Sequence, residues 1–259
     1  MTAIVTGAGG SGCGRAIAVR LASDGAAVVV SDTNEPGGFE TVRLIESAGG
    51  RAIFHRADVR DERQVQRLVD AAVATFGRLS ILINNASAPL PTAEGIAGWT
   101  QSIETDFLGA VYATRYAIDA MRANGGGSIV NVTSISALWH GRMTPGGLPG
   151  YDVAKAALIR MTTALAPSAE KDGIRINCLA PGWIATDGPR QYWESLTPEE
   201  RKSRGVPSKL LDPARVADIV ARLASARALN GRIVVWWSED SPRLVAWGDR
   251  GYRAFEEFV

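Results

Sequence analysis

Short runs rich in β-branched residues alternate with helical stretches along most of the chain, and this alternation constrains the fold more than any other feature. The runs are Ala3–Thr6, Ala26–Ser31, Ala52–His55, Ser80–Asn84, Ser128–Thr133, Ile174–Leu179 and Arg232–Trp237. Helical patterns occupy Arg15–Ser23, Phe39–Ala48, Arg63–Phe76, Thr100–Arg122, Asp152–Ala166 and Pro213–Ala226. Strict alternation implies parallel strands joined by right-handed crossovers, with helices on both faces. The expected architecture is α/β: a doubly wound parallel sheet of about seven strands, in a single domain over residues 1–259. Residues 238–259 form an aromatic C-terminal tail. Ligands of such sheets bind beyond the carboxyl ends of the strands, near the point where strand order reverses. The turns after Thr6, Ser31, Asn84, Thr133 and Leu179 should therefore meet in one crevice.

Composition narrows the functions open to this fold. A formal charge of +1 over 259 residues gives no electrostatic footprint for nucleic acid or acidic lipid. No apolar run approaches the roughly 18 residues that a membrane span needs. The opening MTAIVTG enters a strand pattern at once, so no signal or transit peptide is expected. Two cysteines, Cys13 and Cys178, make no disulfide framework and fit a reduced, cytoplasmic setting. Two histidines, His55 and His140, without a partner at ligand spacing, point away from any metal site.

After the first strand comes Thr6-Gly7-Ala8-Gly9-Gly10-Ser11-Gly12-Cys13-Gly14, and then a helix. Glycines let backbone amides approach a pyrophosphate, and the helix N-terminus favours its charge. This loop fits the general Gly7-x-Gly9-x-x-Gly12 fingerprint of a Rossmann-type site. It also fits a longer register, Thr6-Gly7…Gly12-x-Gly14. Asp32, about 20 residues on, is placed to accept the adenosine ribose hydroxyls. Its charge would repel a 2′-phosphate, and Thr33 and Asn34 offer no cation to welcome one, so the expected cofactor is NAD.

Further strings, in order and at strand ends, resemble the short-chain dehydrogenase/reductase family over about residues 1–237. Asp58-Val59 resembles the family's adenine-side contact, and Asn84-Asn85-Ala86 its NNAG turn. Ser134 falls where the family carries its catalytic serine, and Tyr151-Asp152-Val153-Ala154-Lys155 is similar to its YxxxK. Pro181-Gly182-Trp183-Ile184-Ala185-Thr186 resembles the PG…T segment that closes over nicotinamide. The resemblance implies cofactor contacts from Gly7, Ser11, Gly12, Cys13, Gly14, Asp32, Asp58, Val59, Asn85, Ala86, Tyr151, Lys155, Pro181, Gly182, Ile184 and Thr186. It also implies a small-molecule alcohol or ketone as substrate.

The spacing makes chemical sense on its own. Tyr151 and Lys155 are i and i+4, so they share one helical face. A tyrosine of ordinary pKa near 10 is a poor base at neutral pH. An adjacent ammonium and a positive nicotinamide ring are expected to favour its phenolate. By the resemblance, Lys155 also holds the nicotinamide ribose. Ser134 is placed to hydrogen-bond the substrate oxygen.

The chain departs from the family pattern at several places. The glycine loop has one extra residue, and Ser11 offers a hydroxyl there. Cys13 replaces the usual aliphatic residue, and a thiol at a helix N-terminus is expected to have its thiolate favoured. Counting seven positions on from Trp99 places Asp106 where the family's fourth catalytic residue is asparagine, which supports a water linked to the lysine. The segment from Ser134 to Tyr151 is long and carries Trp139, His140, Arg142 and Met143. Trp139, Trp183, Tyr192 and Trp193 suggest aromatic walls suited to a bulky apolar or ring-containing alcohol or ketone. At least one of these side chains is expected to be structural. Arg142 and Arg190 are candidates for an acidic substrate group. The tail, with Trp247, Tyr252, Phe255 and Phe258, should pack on a neighbouring subunit or cover a pocket, so a homo-oligomer (tetramer or dimer) is expected.

Two other functions compete with an NAD-dependent oxidoreductase. One is a nicotinamide-binding sensor or scaffold without turnover, consistent with Asp106 and the altered loop. The other is a non-redox lyase or dehalogenase. Ser134, Tyr151 and Lys155 together argue against the first, and Lys155 with Asp32 against the second.

Overall fold

The central strands are apolar at nearly every position, as strands covered on both faces must be. In β1 (Thr2–Thr6) every residue is buried, and in β2 (Ala27–Asp32) all but the last. The computed structural model describes residues 1–88, 95–138 and 149–246. The remaining strands are β3 (Arg51–Arg56), β4 (Ile81–Asn84), β5 (Gly127–Val132), β6 (Ile174–Pro181), β7 (Ile233–Trp236) and β8 (Arg243–Leu244). They form one sheet in the order β3-β2-β1-β4-β5-β6-β7-β8, parallel except for β8. The order reverses between β1 and β4, and that gap is where a ligand is expected.

Side chains alternate across the sheet. Val5, Val28, Val30 and Ile83 point to the layer containing α1 (Cys13–Ser23), α2 (Glu35–Ser47) and α9 (Pro213–Ser225). Ile4, Val29, Leu82, Ile129 and Ile176 point to the layer containing α3 (Glu62–Phe76), α5 (Gly109–Ala123) and α6 (Pro149–Ala169). Both layers are dry and both are dominated by Val, Ile, Leu and Ala, which explains the unbroken apolar strands.

The seven expected strands are present, and β8 adds a short antiparallel edge. The tail up to residue 246 thus pairs with β7, where Val245 N donates to Ile233 O at 2.9 Å. Its remainder, with Trp247, Tyr252, Phe255 and Phe258, lies outside the described residues. The helix expected over Thr100–Arg122 is interrupted. A short α4 (Trp99–Ser102) leads into a π-helical turn over Ile103–Leu108, and only then into α5. α2 begins earlier than expected because the Asn34 side chain caps it by accepting from Gly37 N, and Pro36 fits the first turn. Two helices unforeseen in the sequence, α7 (Asp187–Glu194) and α8 (Pro198–Ser203), follow β6. Among the described residues no helix is long and apolar enough to cross a membrane, and no group of three metal-ligating residues forms.

Candidate active site

The switch point is sewn together by Thr6 and Asn85. Thr6 Oγ1 accepts from the backbone N–H of Asn85 and Ala86, both at 3.1 Å. Asn85 Nδ2 donates to the carbonyls of Thr6 and Gly7 at 2.9 and 3.1 Å. Asn85 is therefore held by the end of β1 and in turn fixes the loop after it. Within that loop Gly14 is required by packing, since a Cβ there would lie 2.1 Å from Gly7 O. α1 starts with no side-chain cap and no acidic residue in its first turn, whereas Asn34, Asp61 and Asp212 cap α2, α3 and α9. Its first amides are thus left for an anion, which suits a diphosphate.

Asp32 lies at the end of β2 against this loop. Gly9 N donates to one of its carboxylate oxygens at 2.8 Å and Asn34 N to the other at 2.9 Å. A carboxylate has about four acceptor sites, so two hydroxyls of a ribose still find acceptors there. Arg15, which the sequence reading passed over, lies nearby but is committed: it donates to the carbonyls of Gly9 and Gly37 and to Thr41 Oγ1. Asp58 is paired with Arg60 at 2.6 Å, and that bond holds its carboxyl below the usual range despite partial burial. Val59 is buried beneath it.

Ser11 and Cys13 each make contacts of their own within the protein. The Ser11 hydroxyl donates to Asp187 at the start of α7, 2.9 Å away, so it bridges the glycine loop to the segment after β6. Cys13 packs against the core of its layer. Burial pushes its thiol up to about 12, against a smaller downward pull from Lys155. Burial thus opposes the expected activation of this thiolate.

The chemistry-bearing residues meet at the end of β5. Ser134 lies in the turn after that strand, its hydroxyl oxygen accepting from Ser136 N at 3.1 Å and its side chain close enough to Tyr151 to pull its pKa down. Tyr151 and Lys155 lie on one face of α6, with Lys155 Nζ 5.3 Å from the Tyr151 ring centroid. Lys155 donates to Val132 O at 3.2 Å. A buried ladder beneath them fixes the helices to the sheet. Asn84 Nδ2 bonds Thr114 and Asn131 at 3.0 and 2.8 Å, and Asn131 Nδ2 bonds Thr162 of α6 at 2.8 Å.

Asp106, inside the π-helical turn, contacts Lys155 directly: Nζ lies 2.9 Å from Oδ1, with the side chains 3% and 0% exposed. The water-linked arrangement expected from the sequence is thus replaced by an ion pair. The wider turn swings residue 106 inward toward α6. Ser87 and Ala88 complete the carboxylate's shell at 2.5 and 3.0 Å. Burial alone would lower Lys155, but Asp106 and Tyr151 outweigh it and hold the ammonium above its ordinary value. Burial raises Tyr151; Lys155 and the Ser134 bond pull it down, Asp106 pushes it up, and the net direction is upward. Lys155 thus pulls in the expected direction, and burial outweighs it in the protein by itself.

On the far side of the crevice, Gly182 N donates to Trp236 O, and Ile184 bridges Leu211. Thr186 sits against the glycine loop, where a Cβ on Gly12 would meet its Cγ2 at 2.9 Å. Pro181 is buried at the end of β6. Trp183 and Tyr192 stack, centroids 5.9 Å apart and planes at 26°. Trp193 is the structural member of the set: its ring carries the Arg201 guanidinium at 3.5 Å and its Nε1 donates to Pro207 O. Arg190 is exposed, and its guanidinium donates to Ala185 O at 3.0 Å. Trp139, His140, Arg142 and Met143 lie outside the described residues.

Comparison with known proteins agrees with this geometry. Residues 1–196 match the family described as short chain dehydrogenase. The chain is 37% identical over 233 residues to cis-4-hydroxycyclohexanecarboxylate dehydrogenase of Sinomonas cyclohexanicum, covering 87% of this chain and 90% of that protein. It is 35% identical to cyclohexanol dehydrogenase of Acinetobacter sp. (strain SE19), covering 86% and 87%. A solved structure of 7α-hydroxysteroid dehydrogenase complexed with NADH and 7-oxo glycochenodeoxycholic acid superimposes with a TM-score of 0.80 at 30% identity, covering 92% of each chain. The chain is a member of the short-chain dehydrogenase/reductase family and an oxidoreductase with a nicotinamide-binding fold.

Proposed function

We propose that this protein is an NAD-dependent dehydrogenase that interconverts a secondary alcohol and a ketone on a bulky, ring-containing substrate. The observation that carries the reading is the meeting of Ser134, Tyr151 and Lys155 at the end of β5. Similarity to dehydrogenases named for cyclohexanol, hydroxycyclohexanecarboxylate and a hydroxysteroid supports the ring, and the stacked Trp183–Tyr192 pair offers it a flat apolar wall. Asp32, with the nearby Arg15 committed to Thr41 and to the carbonyls of Gly9 and Gly37, supports NAD.

When bound, the nicotinamide ring accepts or gives the hydride. Gly7, Gly12, Gly14 and the first amides of α1 would hold the diphosphate, Asp32 the adenosine ribose, Asp58 and Val59 the adenine side. Asn85, Ala86, Pro181, Gly182, Ile184 and Thr186 would border the nicotinamide end. Ser134 hydrogen-bonds the substrate oxygen, and Tyr151 moves the proton at that oxygen. In ketone reduction Tyr151 gives it up, and the upward direction of its pKa keeps the phenol loaded for that step. In alcohol oxidation Tyr151 must first lose a proton, aided by Lys155. A sensor without turnover has no use for this trio.

Assembly as a dimer or tetramer belongs to the same reading. The defining assay is a screen of cyclic alcohols with NAD and NADP, followed by cofactor absorbance. The reading predicts turnover with NAD on ring alcohols and a loss of about 10³-fold in Tyr151→Phe, the range of general acid–base catalysis. Native rates in that variant would refute the role of Tyr151.

A further inference from the structure

Alcohol oxidation at this site releases one proton per turnover, and the two charged groups behind Tyr151 are closed off. Lys155 and Asp106 have side chains 3% and 0% exposed. Ser87, in contrast, is exposed. One carboxylate oxygen joins the two environments: Asp106 Oδ1 lies 2.9 Å from Lys155 Nζ and 2.5 Å from Ser87 Oγ. The second distance is that of a short, charge-assisted O–H···O⁻ bond. Ala88 N, at 3.0 Å from Oδ2, fixes the carboxylate's orientation. Two departures from the family pattern meet in this contact. Asp106 stands where the pattern has asparagine, and Ser87 stands at the fourth position of the NNAG turn, where it has glycine. An asparagine amide is a poor proton acceptor, and glycine has no hydroxyl. Each change supplies what the other needs.

We propose that Asp106 and Ser87 form a side-chain proton exit, running from Lys155 through Asp106 and Ser87 to solvent. The inference rests on the redox reading above. In oxidation the substrate O–H bond breaks and its proton goes to the Tyr151 phenolate, while the hydride goes to NAD. The Tyr151 phenolate is restored when Lys155 gives one proton to Asp106 and takes up the Tyr151 hydroxyl proton in return, which restores the ammonium. The Ser87 hydroxyl turns outward once Asp106 is protonated, and Asp106 gives its proton to Ser87 Oγ as the Ser87 hydroxyl proton leaves to water. Rotation of the hydroxyl restores its bond to Asp106. One proton has moved from the substrate to solvent and the side chains are unchanged. Ketone reduction runs the same path inward. Ser87 acts through Asp106 and is a positioning residue, not a catalytic one.

The test compares the unmodified chain with Ser87→Ala and Ser87→Thr. With NAD and the best alcohol of the screen, Ser87→Ala should run about tenfold slower in dilute imidazole and recover as imidazole is raised, because a soluble base replaces the missing exit. Ser87→Thr keeps the hydroxyl and should stay near the native rate. A purely structural defect would not respond to buffer. Independently of turnover, NMR of the ¹⁵N-lysine-labelled chain should show the Lys155 ammonium protons exchanging with water about tenfold more slowly in Ser87→Ala. A buffer-independent loss, no loss, or unchanged ammonium exchange overturns the proposal. If none of the screened alcohols lets the native chain reduce NAD, the redox reading fails, and the ammonium exchange still decides the path.

Discussion

The two sides of the crevice are built differently. On the α6 side, Tyr151, Lys155 and Asp106 stand on a buried polar ladder that runs from Asn84 through Asn131 to Thr162. On the opposite side, α7 and α8 bury none of their residues fully. They are attached through the Ile184–Leu211 bridge, Trp183 N on Ser238 Oγ, and Ser208 N on Glu239. A capping box at Thr197 and Glu200 holds α8 together. On the proposed reading, proton chemistry, which tolerates little displacement, falls where packing is tight. The proposed substrate wall falls where packing is sparse, and sparse packing lowers the local cost of opening and of sequence change.

The largest expected effect lies on the rigid side. Lys155→Ala leaves the Asp106 carboxylate buried without its cation, which should cost about 3–5 kcal/mol of stability. Urea unfolding measures it. The pair Lys155→Met with Asp106→Leu should recover much of that loss, because an apolar pair avoids the desolvation cost of two charges. A loss below about 1 kcal/mol in Lys155→Ala would place the pair among weak surface bridges and remove the contrast between the two sides.

Legibility in the sequence follows the same division. The strands were legible because both faces of the sheet are dry, and Tyr151 with Lys155 because four residues make one helical turn. The Ser87–Asp106–Lys155 contact was not, since it joins three separate elements and depends on the π-helical turn. Ser87 in place of glycine was the available signal. α7 and α8 carry no buried apolar stripe, so periodicity gave nothing to find. Their signals were local: Pro198 after Thr197, with Glu200 three residues beyond the cap. The start of α2 was hidden by Gly37 and Gly38, which read as breakers until Asn34 is seen to cap them.

The cofactor loop lies between these extremes. Asp32 should favour NAD over NADP by about 10²-fold, equivalent to roughly 3 kcal/mol. Asp32→Ala should narrow that gap chiefly by weakening NAD, with a loss of about 1 kcal/mol for each of the Gly9 and Asn34 amides released. Titration calorimetry with both cofactors decides this, and equal affinities in the unmodified chain would sink the assignment. Cys13 gives a smaller effect. Raising a thiol from 9.0 to about 12 lowers its thiolate fraction at pH 8 by about 10³, and the greater nucleophilicity of a more basic thiolate recovers part of it. Alkylation of Cys13 at pH 8 should thus run about 30-fold slower than that of a free thiol. Fast labelling would mean that the loop opens more readily than its packing suggests.

The smallest effect sharpens the comparison most, because it separates the charge of Asp106 from its place in the proton path. The carboxylate raises Tyr151, opposing the downward pull of Lys155. Alcohol oxidation needs the phenolate, so its rate climbs as pH rises through the Tyr151 transition. Asp106→Asn removes the upward contribution, the phenolate forms at lower pH, and the climbing limb moves toward acid. The same substitution breaks the relay, so the plateau above the limb should fall about tenfold and recover with imidazole. Ser87→Ala leaves the charge in place: its plateau falls while the position of the limb stays. Measured with hydride transfer rate-limiting for the limb and in dilute buffer for the plateau, the two variants should differ in the first and agree in the second. A limb that stays put in Asp106→Asn would mean that the Asp106 charge does not reach Tyr151, leaving the ion pair with Lys155 a purely structural role.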